Sequence, residues 1–66
     1  MFVALYVTHQ GQVTWHGLDK DRVLITGDSV ATAYEAAQTM GLPLVSSKRH
    51  TGGLYREILM WSNDED

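Results

Sequence analysis

The stretch Gly27-Asp-Ser-Val-Ala-Thr-Ala-Tyr-Glu-Ala-Ala-Gln-Thr-Met-Gly-Leu-Pro43 constrains the rest of the chain, because it reads as a helix with both ends marked. Asp28 or Ser29 can accept hydrogen bonds from the free N–H groups of the first turn, so one of them is the expected N-cap. Gly41 supplies the left-handed residue after the last turn, Leu42 can fold back toward Ala37, and Pro43 blocks continuation. Between these marks Val30, Ala33, Tyr34, Ala37 and Met40 form one stripe, and Thr32, Glu35, Gln38 and Thr39 face away. Small Ala33 and Ala37 in mid-stripe let a helix axis lie close against a sheet. The flanking segments supply that sheet.

Phe2 to Thr8 is rich in β-formers and apolar on both alternating faces, the pattern of a central strand covered on both sides. Gln10-Gly11 reads as a two-residue turn, after which Val13 to Leu18 returns as a second strand. That turn sets Val7 against Thr14, Tyr6 against Trp15 and Leu5 against His16. One face then collects Val3, Leu5, Val7 and Leu18, and the other Phe2, Tyr6, Val13 and Trp15. A loop one residue longer reverses the second strand's contribution. Arg22 to Thr26 forms a short third strand with Val23 and Ile25 pointing one way. Leu44 to Ser47 is extended, and Gly52-Gly53 marks a turn. Leu54 to Trp61 fits a helical stripe (Leu54, Ile58, Trp61) or strand alternation (Tyr55, Leu59, Trp61). The carboxylates that follow disfavour a helix C-terminus there, which selects the strand. The expected fold is α+β in the order βββαβ(β): a small antiparallel sheet of three to five strands with one helix on a face. Residues 1–66 form one domain, with 62–66 as a frayed acidic tail.

A 66-residue chain buries only about 60% of its unfolded surface, and with no cysteine it has no disulfide to compensate. Yet 44% of its residues are hydrophobic, more than one small core can hide, so self-association or a partner is expected to use the excess. A net charge of −3 and a pI near 5.4 oppose general attraction to nucleic acid or anionic membrane. The run Phe2 to Val7 is too short for a signal peptide or a spanning helix. Together with the absence of cysteine, this places the chain in the cytoplasm as an expectation.

Chemistry-bearing patterns are sparse. His9, His16 and His50 lack metal-ligand spacing. No Gly-x-Ser-x-Gly elbow accompanies the serines, and Asp28 and Ser29 are explained as caps. A non-enzymatic protein without metal or cofactor is the expectation. Lys48-Arg49-His50, with Gly52-Gly53 and Arg56, concentrates positive charge on a loop that either meets a phosphate or acidic partner or simply keeps an edge strand solvated. Phe2, Tyr6 and Trp15 form an aromatic set. It either lies on an open sheet face as interface anchors or is core beneath the helix; in each case one apolar face is left wanting a partner.

Three strands followed by Thr26-Gly27-Asp28-Ser29, opening an Ala-rich helix with Tyr34-Glu35-Ala36, resemble the N-terminal domain of HicB-type antitoxins. The resemblance spans about two thirds of the chain and implies a βββαβ sheet-and-helix fold. It also implies an acidic small protein that blocks a partner by binding it. Gly17-Leu18-Asp19-Lys20-Asp21 departs from the Pro-rich loop usual before the family's third strand. The expected function is inhibition of a macromolecule by occupying its surface, as an antitoxin or an anti-CRISPR does. Phe2, Tyr6 and Trp15 are its anchors. Asp19, Asp21, Glu35 and the tail are its carboxylates toward a basic groove, and Lys48, Arg49 and Arg56 form a second contact. The alternatives are a nucleic-acid-binding module using the Lys48-Arg49 loop and a homodimeric structural subunit.

Overall fold

The computed structural model describes residues 1–63. Five strands, β1 (Phe2–Thr8), β2 (Val13–Leu18), β3 (Leu24–Gly27), β4 (Leu44–Arg49) and β5 (Tyr55–Ser62), and one helix, α1 (Val30–Thr39), follow each other as β1-β2-β3-α1-β4-β5. The strands form one antiparallel sheet in the order β3-β2-β1-β5-β4. This is the expected small α+β fold, with β1 central and Leu54 to Trp61 largely strand. Ser62, expected in the tail, closes β5 and donates its N–H to the Pro43 carbonyl at 3.1 Å. The acidic end of the tail, residues 64–66, lies outside the described residues.

The helix ends are built as their residues dictate. Ser29, with extended φ and ψ of −139° and 150°, is the N-cap, and its hydroxyl accepts the Thr32 N–H at 3.1 Å. At the other end Gly41 takes φ 69° and donates to the Gln38 carbonyl, while Leu42 donates to that of Ala37 at 2.9 Å. Those two bonds make a Schellman motif. Ala33 and Ala37 are buried against the sheet, as their size allows. Val30 and Tyr34, read as part of the same stripe, are exposed instead, Tyr34 at 48%. The buried stripe is centred on the alanines with Ala36 and Met40 on one flank. Tyr34 falls on the other flank, where its ring meets Trp61 edge-on at 4.9 Å.

The first hairpin differs from its expected register by one residue. Gly11, at φ 89°, donates to the Thr8 carbonyl, and the Thr8 N–H donates to Gln12, so the loop is the three residues His9-Gln10-Gly11. A glycine in the left-handed region is what closes such a loop. Leu5 therefore opposes Trp15, Tyr6 opposes Thr14 and Val7 opposes Val13. Trp15 and Val13 join Val3, Leu5 and Val7 on the helix side, and Leu18 and His16 move to the opposite face. Trp15 is 5% exposed and donates its indole N–H to Thr32 Oγ1 at 3.0 Å. The core comprises Val3, Leu5, Trp15, Ala33, Ala37, Leu42, Leu59 and Trp61.

β3 starts later than the composition suggests. Arg22 sits at φ 63°, and Asp19 Oδ1 accepts the N–H groups of Asp21 and Val23, so 19–23 is a capped turn with Val23 exposed. Both faces of β1 are apolar, which calls for cover on both sides. The single helix covers one.

Candidate functional site

Directly opposed residues share a face, so the pairing defines what stands on the side away from α1. Phe2, Ala4 and Tyr6 from β1 lie beside His16 and Leu18 of β2 and beside Ile58 and Met60 of β5. A bulge between Val7 and Thr8 returns Tyr55 to this face, where its ring reaches that of Tyr6 at 5.1 Å. The His16 ring stacks on Tyr6 at 5.7 Å, nearly parallel, and meets Phe2 edge-on at the same distance. Phe2, His16, Tyr6 and Tyr55 thus make a continuous ridge of rings across three strands. Ala4 beneath it is only 1% exposed, shaded by these neighbours rather than by a covering element.

None of the paired residues on this face is a carboxylate. Lys48, opposite Ile58, stands at its rim on edge strand β4. Of the expected anchors, Phe2 and Tyr6 therefore belong to the open surface, whereas Trp15 is core and is corrected out of the contact set. Its place is taken by His16, Leu18, Tyr55, Ile58 and Met60. The signal that could have found His16 and Leu18 was the glycine at position 11, read as the closing residue of a three-residue loop; Tyr55, Ile58 and Met60 join the face only through the pairing of β5 with β1.

The charged candidates fall into two groups at opposite edges of the sheet. Asp19 and Glu35 rim a groove of about 460 Å³ between α1 and β3, floored by Ile25, Ala36 and Met40. Asp21 borders an adjoining hollow with Asp19, Lys20 and Met40. One oxygen of Asp19 is engaged by the turn. On the β4–β5 hairpin, Arg49 pairs with Glu57 at 3.5 Å, and Arg56 is the extra residue of the bulge, its carbonyl accepting from His50. His9 Nε2 lies 3.3 Å from the Gly52 carbonyl, which ties the two hairpin tips together.

Three of the eight acidic residues are Asp64, Glu65 and Asp66, which leaves five against the five Lys and Arg over residues 1–63. The net negative charge thus belongs to the end of the chain and not to the folded body. No helix of the described residues is long and apolar enough to cross a membrane. The fold defines the class, a small antiparallel sheet with one face covered by a helix. The chain matches no protein-family model, no curated protein and no solved structure.

Proposed function

We propose that the chain is a small, non-enzymatic cytoplasmic protein that inhibits a macromolecular target by occupying its surface, in the manner of an antitoxin or an anti-defence protein. The observation that carries this reading is the uncovered face with its ridge of rings. Aromatic side chains and methionine are enriched in protein contacts, and the rings bury a large area at little entropic cost. Phe2, Tyr6, Tyr55 and Met60 are its anchors. The acidic residues 64–66, which carry the net charge, attract a basic protein, and Asp19, Asp21 and Glu35 offer it a second contact along the groove between α1 and β3.

The test compares tagged wild type with Tyr6→Ala in native lysate, followed by activity assays on whatever is retained. Support requires an enzyme that is retained by wild type, released by Tyr6→Ala, and inhibited on addition of the pure protein. Equal retention by both forms, or full activity of the retained enzyme, rejects the reading.

A second reading has one observation in its favour. Lys48 stands on the same face as the rings, separated from Tyr6 by Ile58, and aromatic platforms with a cationic rim are what single-stranded nucleic acids use.

A further inference from the structure

We propose that a second copy of this chain covers the open face when the target is absent, the two sheets packing face to face about a two-fold axis. This rests on the reading of that face as the target contact, and the copy and the target then compete for it.

A two-fold contact sets each patch against itself, so any net charge on the patch meets its like. The centre of this face carries Phe2, Ala4, Tyr6, Ile58 and Met60 without a carboxylate, and Lys48 is held at the rim. Nothing there opposes self-contact. The size also fits. The body extends 34 × 22 × 16 Å, which bounds its broad side at roughly 750 Å², so a contact approaching the ~800 Å² per partner of a standard interface takes in nearly the whole face. Sheets stack at about 10 Å through their side chains, as two such faces would. The sheet edges are less suited to pairing. β3 has four residues, and β4 is irregular between Leu44 and Ser46 and carries Lys48 and Arg49.

Sedimentation equilibrium from micromolar to millimolar concentration tests this, with small-angle scattering of the same samples. The expected mass is twice the 7.4 kDa of the chain, in a particle thickened along its 16 Å dimension. Met60→Glu is expected to raise the dimer dissociation constant at least 100-fold, and Thr39→Glu, on the helix, to leave it unchanged. Should Met60→Glu fail to fold, Leu18→Lys on the same face reads the same effect, and the scattering of wild type needs no variant. A monomer at millimolar concentration overturns the proposal. So does a flat, elongated dimer, or one that survives a folded face variant, because either places the contact at a strand edge. A monomer that still binds and inhibits its target leaves the functional reading standing. A face dimer with no inhibited target does the reverse.

Discussion

Trp15 shows how one side chain can organise its surroundings. Its indole lies over Gly27 on the neighbouring strand and reaches across to Thr32 at the start of the helix. A Cβ at position 27 would fall inside contact with the indole Nε1 and ring carbons, so glycine is required there for room. Gly27→Ala is expected to cost about 1–3 kcal/mol through displacement of the ring. At roughly 4–8 °C per kcal/mol for a domain of this size, a thermal melt reads that easily. Thr32→Val keeps the shape but leaves the part-buried indole N–H without its acceptor, an expected loss of about 1–3 kcal/mol. Thr32→Ser, which restores the oxygen, should recover most of it. Equal melts for the two Thr32 variants would show that the hydrogen bond contributes nothing.

Elements report their determinants through their ends. Ser29 caps α1, so Ser29→Ala should lower stability by about 1 kcal/mol. Asp28→Ala, one residue earlier, is expected to stay within about 0.5 kcal/mol, as exposed substitutions away from a cap do. Chemical denaturation of the two variants separates them. The first hairpin gives a stronger test. Deleting Thr14 keeps the loop and the Val7–Val13 pair but sets Trp15 opposite Tyr6 and His16 opposite Leu5, which would put Trp15 on the open face and His16 under the helix. The deletion is expected to abolish cooperative unfolding, measured by circular dichroism. A cooperative melt near that of wild type would mean that the loop does not set the register.

For the molecule as a whole, the balance of five acids and five bases over residues 1–63 governs what it attracts. The hairpin with Lys48, Arg49 and Arg56 offers two or three phosphate contacts at most, and Arg49 is partly neutralised by Glu57. So few contacts do not hold a nucleic acid at physiological salt. Titration of labelled single-stranded and duplex DNA and RNA is expected to show at most weak binding that disappears between low and physiological salt. Sub-micromolar binding at the higher salt would promote the ring platform with Lys48 to a nucleic-acid site and displace the inhibitor reading.

What could be read without the fold was local. A helix start at Asp28 or Ser29, the Gly41-Leu42 stop and the strand character of Phe2–Thr8 depend on contacts a few residues apart, so the residue types suffice to that point; the structure chooses Ser29. The face on which Trp15 stands depends on one residue of loop length, and a period of two converts that single step into a full exchange of sides. Whether Tyr34 is covered depends on how α1 is seated over the alanines, which no stripe specifies. The site itself, a row of Phe2, His16, Tyr6 and Tyr55 drawn from three strands, exists only once β5 has paired with β1 across some fifty residues of chain. Only the tertiary structure could decide that, because side chains distant in the chain become neighbours through strand pairing and not through their own chemistry.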